Sequence, residues 1–294
     1  MDHEQGANIP CLDLCEAITL HSDAAEQLRC IEGYLDTDGL ADCSRVYLGS
    51  SFCPQALFAS AGLADAALDI CRRRGMNATL VLPVLAQRFY ERGIAFAREL
   101  VSRSEGLIDE VVVNDYGTLA ELSRLIDAGG FPETLKLHLG RLMSKDTRDM
   151  RCTANHERLY RPALLQGTRG ATALDALLQQ FPRVSGITLD QTHVALDITG
   201  LPKGVEVAIC GELVYVSTGQ ICEFASVGVS AEEAFRANLA CKLQCLTYAE
   251  RYLGASGVEF AKIGRTVYAD TPDVEVVASA AYRMLISPLK EVRG

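Results

Sequence analysis

The chain has 294 residues, of which 28 are basic and 38 acidic, giving a formal net charge of −10 at pH 7. This acidic balance argues against a broad nucleic-acid-binding face, and a hydrophobic content of 49% provides core for one large α/β domain or two small ones. The first residues lack the basic and apolar regions of a signal peptide, and no apolar run approaches the roughly 18 residues of a membrane helix. We therefore expect a cytoplasmic protein without a membrane span.

The N-terminal part of the chain predicts one helix and one buried strand. The run CLDLCEAITL is compatible either with a helical turn that has Cys11 and Cys15 on one side or with a first strand. The pair Ser22-Asp23 consists of helix-capping residue types and predicts a helix that ends near Leu35. The apolar run Arg45–Leu48 then predicts a buried strand.

From residue 54 onward, amphipathic helical stretches alternate with short apolar ones. The predicted helices are Pro54–Arg74, Gln87–Arg103, Thr118–Ala128 and Asp175–Gln180. The predicted strands are Ala78–Leu85, Glu110–Val113, Thr134–Leu139, Val184–Leu189 and Val205–Ile209. This alternation predicts parallel strands joined by helical crossovers. It does not by itself separate a barrel from an open doubly wound sheet, although no GxGxxG or Walker A loop favours the open, nucleotide-binding kind. We expect one domain over residues 1–257, with residues 258–294 as a short C-terminal accessory segment of it.

Polar residues follow several of the predicted strands. Asn114, Asp115 and Asp190 come directly after strand ends, so a barrel would place them at its functional mouth. Arg141 follows another strand end and has the fork of donors that binds a carboxylate in bidentate fashion. These four are the candidate catalytic residues, and helix capping or ion pairing is the alternative role for each. His138 lies in the middle of a predicted strand, and we interpret it as a hydrogen-bonded barrel histidine rather than a catalytic one.

Cysteine is the most unusual feature of the composition. Eleven cysteines in a chain expected in a reducing compartment indicate metal binding or core packing rather than disulfides. Cys222, Cys241 and Cys245 follow the spacing C-x18-C-x3-C, and Cys53 comes just after a predicted strand. Four thiolates suit a 4Fe–4S cluster or tetrahedral zinc, although the paired C-x2-C knuckles typical of zinc sites are absent from the sequence. Packing of these thiols as small core residues remains open.

The segment that carries two of these cysteines predicts a helix. Ser230-Ala231-Glu232-Glu233 has the form of a capping box, which predicts a helix that runs to Leu253 and stops at Gly254. Cys241 and Cys245 are four residues apart, so both would lie on one face of that helix.

Residues 44–250 contain several stretches in an order typical of one known family. They are VYLGSSFCP with Cys53, VVVNDYGTL at Val111–Leu119, LGRLMSKDTRD at Leu139–Asp149, GITLD at Gly186–Asp190 and VEVAICGEL at Val205–Leu213. With Cys222, Cys241 and Cys245 after them, these stretches resemble the collagenase-like family-U peptidases, specifically their UbiV-like branch. The resemblance implies a TIM-barrel-like α/β fold with a cysteine-bearing helix, and a 4Fe–4S cluster. The cluster ligands that it implies are Cys53, Cys222, Cys241 and Cys245.

The same resemblance implies a function. UbiV-like proteins form a heterodimer with a UbiU-like sister protein and support oxygen-independent hydroxylation of ubiquinone precursors, so we expect that role or a similar one on a related small substrate. Other relatives hydroxylate RNA bases or are named peptidases, which leaves an RNA-base hydroxylation factor, a metal-stabilised scaffold and a peptidase as alternatives. No GxSxG or HExxH motif supports a hydrolase. The cysteines that remain open as substitutes for one of the four ligands are Cys11, Cys15 and Cys210.

Overall fold

The computed structural model of the protein is built around a closed barrel of eight parallel strands. The structure describes residues 8–15, 24–37, 40, 42–144, 159–168, 171–191, 194–211, 213–246, 250–254, 257, 259–270 and 275–287. Within these residues the helices are α1 (Ala24–Leu35), α2 (Pro54–Ala59), α3 (Ala61–Arg74), α4 (Gln87–Arg103), α5 (Tyr116–Asp127) and α6 (Ala173–Gln180). None of these helices is long and apolar enough to cross a membrane.

The strands of the same residues fall into a barrel and three smaller sheets. They are β1 (Asn8–Asp13), β2 (Arg45–Gly49), β3 (Asn77–Leu82), β4 (Ile108–Val113), β5 (Lys136–Leu139), β6 (Leu159–Tyr160), β7 (Gly167–Thr168), β8 (Ala171–Thr172), β9 (Val184–Asp190), β10 (Ala195–Asp197), β11 (Glu206–Cys210), β12 (Leu213–Thr218), β13 (Glu250–Leu253), β14 (Glu259–Ile263), β15 (Thr266–Asp270), β16 (Val276–Val277) and β17 (Tyr282–Ile286). The smaller sheets have the orders β16-β10-β6, β12-β15-β14-β13 and β7-β8.

Around the barrel the strand order is β1-β17-β11-β9-β5-β4-β3-β2, and each neighbouring pair is parallel. Helices α2 to α6 connect successive barrel strands, so the strands are covered by helices outside and filled by their own side chains inside. The predicted TIM-barrel-like α/β fold is confirmed. The ambiguous first segment is the strand β1. Strand β17 comes from residues 258–294, which we expected as an accessory segment, and it pairs with both β1 and β11.

Most predicted elements occur with small changes at their ends. Helix α4 has the predicted bounds, whereas the single helix expected over residues 54–74 is divided into α2 and α3 at Ser60. The hydroxyl of Ser60 donates to the carbonyl of Leu57 over 2.7 Å, a local bond that competes with regular helix geometry. Strand β3 ends at Leu82, before Pro83, which has no N–H to donate to a strand neighbour.

The helix expected from Ser230 to Leu253 is wrong. The backbone N–H groups of Glu233 and Ala234 do bond to the carbonyl of Ser230, but this single turn goes no further. The next residue, Phe235, has a left-handed backbone, as do Asn238 and Leu243, with φ values of 60, 55 and 59°. Each left-handed residue breaks the helical path. The segment therefore consists of turns and a short 3-10 helix over Gln244–Leu246, followed by strand β13.

Candidate functional site

The cysteines singled out from the sequence lie around one cavity beside the carboxyl end of the barrel. Cys53, Cys222, Cys241 and Cys245 all line it, together with residues of helix α2 and of the turn between β14 and β15. Cys245 is buried and the other three are half-buried. All four are thiols. Segments that are far apart in the sequence thus contribute potential metal ligands to the same space.

Cys53 is positioned by the end of strand β2. Gly49 has a φ of 113°, and a Cβ here would collide with the carbonyl oxygen of Val81, so this close approach of β2 to β3 requires glycine. The chain then turns, and the hydroxyl of the buried Ser50 accepts hydrogen bonds from the backbone N–H groups of Phe52 (3.2 Å) and Cys53 (2.9 Å). The turn presents the Cys53 thiol to the cavity just before helix α2 begins.

Cys222 and Cys241 are held together by bonds between their two segments. The backbone N–H of Asn238 donates to the carbonyl of Gln220 over 2.8 Å, and the N–H of Phe235 donates to the hydroxyl of Ser226 over 2.9 Å. Burial raises the pKa of the Cys241 thiol, the N–H of Leu243 lowers it, and the nearby Cys222 raises it further. Both thiolates would therefore repel one another unless a cation lay between them.

Cys245 lies beside the turn between β14 and β15. It lies in the 3-10 helix Gln244–Leu246, and a Cβ built on Gly264 would be 3.8 Å from its sulfur atom. Gly264 and Arg265 form the turn that joins β14 to β15. This turn therefore lies against the fourth thiol.

The spacing of the sulfur atoms distinguishes two kinds of metal site. Zinc bound tetrahedrally at about 2.3 Å by four thiolates would hold their sulfur atoms about 3.8 Å apart. Within the part of the chain that the structure describes, only Glu110, His138 and Glu206 bring three potential ligand atoms within 4.8 Å of one another, so no three of the four sulfur atoms are that close together. A 4Fe–4S cluster needs wider spacing than zinc because each thiolate binds a different iron atom. The four thiols therefore do not form a preformed tetrahedral zinc site, and a 4Fe–4S cluster bound by them stays a prediction.

The candidate catalytic residues lie at the mouth of the barrel, where Arg141 and Asp190 form a buried ion pair. The Arg141 guanidinium also lies 5.4 Å from the ring centroids of Phe52 and Tyr215. Burial opposes its charge, but the Asp190 carboxylate, together with smaller contributions from Cys210 and Tyr268, outweighs burial and raises the pKa of Arg141 well above its usual range. Phe52 precedes Cys53, so one aromatic ring separates this ion pair from the cysteine cavity.

The other two candidates form structural hydrogen bonds in this region. Asn114 donates to the carbonyl of Leu82 (2.9 Å) and accepts from the N–H of Leu142 (3.1 Å), which ties three loops of the mouth together. Asp115 caps helix α5 by accepting from the N–H (2.7 Å) and hydroxyl (2.8 Å) of Thr118. These bonds correspond to the capping role considered from the sequence, and catalysis by either residue stays a prediction.

A second, smaller cavity inside the mouth contains residues that the sequence did not single out as catalytic. Asp13, Thr188, Cys15 and Cys210 line it together with Arg141. Burial raises the pKa of Asp13. Hydrogen bonds from Cys15 and the charge of Arg141 lower this pKa, but they offset the effect of burial only in part. Cys15 and Cys210, which the sequence left open as substitute ligands, thus face this cavity. The sequence signal for Asp13 was weak, since it is one acid within an apolar run.

The amino end of the barrel holds a separate network of buried charges. Glu110 is fully buried and accepts from both terminal nitrogens of Arg283, over 2.7 and 2.9 Å. Arg283 also pairs with Glu206, so a metal ion at Glu110, His138 and Glu206 would have to displace a guanidinium. His138 is a barrel residue, as predicted, but it is not hydrogen-bonded: neither ring nitrogen has a hydrogen-bond partner among the described residues. Its ring packs on Gly186, where a Cβ would collide with it.

Comparisons with known proteins place no further constraint on this site. No family model matches the chain, and no curated protein and no solved structure matches it.

Proposed function

We propose that the protein binds a 4Fe–4S cluster and acts as an iron–sulfur subunit in an oxygen-independent hydroxylation. The observation that carries the proposal is the single cavity lined by four thiols from separate segments. The proposed ligands are Cys53, Cys222, Cys241 and Cys245. The resemblance to UbiV-like proteins supports the reaction class and a heterodimer with a UbiU-like sister protein, with a ubiquinone precursor or a related small molecule as substrate.

The four thiolates define what such a cluster would contribute. A cluster whose four iron atoms are all bound by protein thiolates has no iron site left for substrate, so it supplies or accepts electrons or stabilises the fold. Residues of the chain would position the ligands of this cluster. The turn at Ser50 fixes Cys53, and the hydrogen bond from Asn238 to Gln220 keeps Cys222 beside Cys241. Cys245 is buried and the other three cysteines are half-buried, which limits the access of water to the thiolates.

The mouth of the barrel is the site where substrate is proposed to bind. Arg141 and Asp190 are fixed beneath Phe52 and Tyr215, which gives this place a charged pair in an apolar surrounding. Tyr215 additionally donates its hydroxyl proton to the carbonyl of Arg141 over 3.2 Å, so the segment after β5 is held in place. Burial raises the pKa of the Asp13 carboxyl group at the mouth, which makes it the candidate to hold and transfer a proton there.

A metal-stabilised scaffold is the second candidate function. Residues 219–246 contain no α-helix or strand in the structure, only turns and two short 3-10 helices. A segment with so little regular structure gains order from a metal centre that cross-links it. In that case the cluster or a zinc ion would hold the loops without taking part in a reaction.

The experiment that tests the proposal is anaerobic purification followed by iron and acid-labile sulfide analysis with a visible spectrum. We expect about four iron and four sulfide per chain and a shoulder near ~400 nm that bleaches on reduction. Cys53→Ala should lose most of the iron, whereas Cys71→Ala, which changes a buried cysteine of helix α3, should keep it.

The alternative outcomes are distinct. If Cys53→Ala kept its iron and Cys210→Ala lost it, Cys210 would take the place of Cys53 in the proposed ligand set. Colourless protein that contains zinc would support the scaffold. Folded wild-type protein without iron or zinc would contradict the proposed function, and co-purifying nucleic acid would then favour the RNA-directed alternative.

A further inference from the structure

The turn between strands β14 and β15 carries an arginine that contacts several parts of the cysteine cavity. Arg265 donates from Nε to the carbonyl oxygen of Phe52 over 2.8 Å, and its Nη2 donates to the same oxygen. Its remaining nitrogen, Nη1, donates to the side-chain oxygens of Gln220 (3.3 Å) and Asn238 (3.2 Å). One guanidinium thus binds three separate segments of the chain.

Each of these partners lies just before one of the cysteines. Phe52 directly precedes Cys53, Gln220 lies two residues before Cys222, and Asn238 lies three residues before Cys241. The neighbouring turn residue, Gly264, lies against the sulfur atom of Cys245, at the 3.8 Å given above for a built Cβ. The Gly264-Arg265 turn is therefore in contact with the segments of all four thiols.

Few hydrogen bonds of regular secondary structure join these segments. Cys53 is far from the other three cysteines in the sequence, and Cys222 and Cys241 lie in separate loops. Bringing such loops together costs conformational entropy. A guanidinium offers five N–H donors in a rigid planar fork, whereas the ammonium group of lysine is a point charge on a flexible stem. The geometry at Arg265 uses this fork, because Nε and Nη2 converge on the carbonyl oxygen of Phe52 while Nη1 donates to Gln220 and Asn238.

The charge of Arg265 is a second, independent observation. Among the described residues that line the cysteine cavity, Arg265 is the only one with a side chain that is charged at neutral pH, and no carboxylate lines the cavity. A cluster bound by four thiolates carries net negative charge, which is one of the quantities that set its reduction potential. A fixed cation beside it stabilises the more negative, reduced form relative to the oxidised one.

We propose that Arg265 is a positioning residue for the cluster site: it fixes the three cysteine-bearing loops and supplies the positive charge that offsets the thiolates. This inference rests on the proposed function and assigns the cluster a specific partner in the protein. It predicts two separable effects, one on the retention of iron and one on the reduction potential. Arg265 is not a ligand and takes no part in bond formation.

The experiment compares Arg265→Lys and Arg265→Gln with the wild type, using anaerobically purified protein. Arg265→Lys keeps the charge but loses the fork, so iron should pass to a chelator about tenfold faster, with a midpoint potential near that of the wild type. Arg265→Gln loses the charge as well, so the iron that remains should show a more negative midpoint potential. The control is Arg251→Ala, which removes an exposed ion pair with Glu259 from the same sheet and should change neither quantity.

Circular dichroism of the iron-free variants checks that the barrel still folds. Unchanged chelation rates and potentials in both variants, with iron present in the wild type, would overturn the role of Arg265 and leave the proposed function intact. A wild-type protein without iron would overturn the proposed function and this inference with it. If Arg265→Gln did not fold, Arg265→Lys would decide the positioning role by its chelation rate alone.

Discussion

The two ends of the barrel both bury charged side chains, but they arrange them differently. At the amino end, Glu110 receives two hydrogen bonds from Arg283, one from the hydroxyl of Thr79 (3.0 Å), and has a nitrogen of Arg45 at 3.3 Å. At the carboxyl end, Asp13 accepts from the N–H of Cys15 over 2.9 Å, and no described residue forms an ion pair with it.

The pKa values of the two buried carboxyl groups, Glu110 and Asp13, are shifted in opposite directions. Although burial acts against its charge, hydrogen bonds from Arg283 and the nearby cations lower the pKa of Glu110 to about 2. Burial instead raises the pKa of Asp13. A carboxylate with a lowered pKa is stabilised by its surroundings, whereas one with a raised pKa is destabilised by them and is available to hold a proton. The direction of the pKa shift therefore distinguishes the two buried carboxyl groups, Glu110 and Asp13.

The largest expected effect is that of Glu110→Gln at the amino end. The substitution leaves the buried guanidinium group of Arg45 and the half-buried one of Arg283 without the carboxylate that they share. Removing one partner of a buried ion pair costs about 3–5 kcal/mol, so the free energy of unfolding in urea should fall by about that amount. Glu121→Gln is the matched control, because it changes an exposed pair with Arg124 on helix α5 and should leave stability nearly unchanged. A similar small loss in both variants would mean that the network does not stabilise the barrel.

The second effect is a pH dependence at the same end. Burial lowers the pKa of His138 from 6.5 to about 4, against the attraction of Glu110 and Glu206 and together with repulsion from Arg283 and Arg45. The unfolded chain therefore binds a proton below pH 6.5 that the folded chain binds only near pH 4. Stability is lost as the pH falls through this window, by up to about 3 kcal/mol.

The measurement is urea unfolding of the wild type and of His138→Phe between pH 7.5 and 4. The variant keeps a planar ring on Gly186 but cannot titrate, so its stability should fall less steeply across the window from 6.5 to about 4. Parallel curves would show that His138 is not held neutral in the folded protein.

The sequence predicted the barrel better than the cysteine segment, for a physical reason. Helix α4 has an apolar face at helical spacing and strand β4 is a short, almost fully buried apolar run, so each element can be recognised from its own residues. The capping-box pattern at Ser230 is equally local, but here the outcome is decided by left-handed residues. Asn238 is of a residue type that adopts this backbone more readily, but Phe235 and Leu243 are not, so nothing in the sequence marks the backbone conformation of these two.

The four cysteines were singled out by their spacing and by the family resemblance, although the shared helix face expected for Cys241 and Cys245 does not form. Their convergence on one cavity could not be derived from local pattern, since Cys53 is distant from the other three in the sequence. Arg265 carried no signal at all, because an arginine in a turn is common on any surface. Its role becomes visible only through contacts with Phe52, Gln220 and Asn238.

The smallest expected effect lies at the mouth, in Asp13→Asn, and it should have the opposite sign to that of Glu110→Gln. The pKa of Asp13 in the folded protein is raised above its usual 3.8. The ionised carboxylate therefore lowers the free energy of unfolding at pH values above the folded pKa. This destabilisation disappears as the pH falls to 3.8. The neutral amide removes the penalty, so stability near neutral pH should rise by on the order of 1 kcal/mol. The gain should vanish at low pH, where both side chains are neutral.

Urea unfolding at several pH values distinguishes the two ends of the barrel directly. A gain at neutral pH that fades on acidification would identify Asp13 as a carboxyl group held against its preferred charge state, as a proton-holding group at a reactive site would be. A loss at neutral pH would instead mean that Arg141, whose charge lowers the pKa of Asp13, compensates this carboxylate as fully as Arg283 compensates Glu110. The mouth would then be a second structural network, and the proton-holding group for the proposed reaction would have to come from the substrate or from the partner subunit.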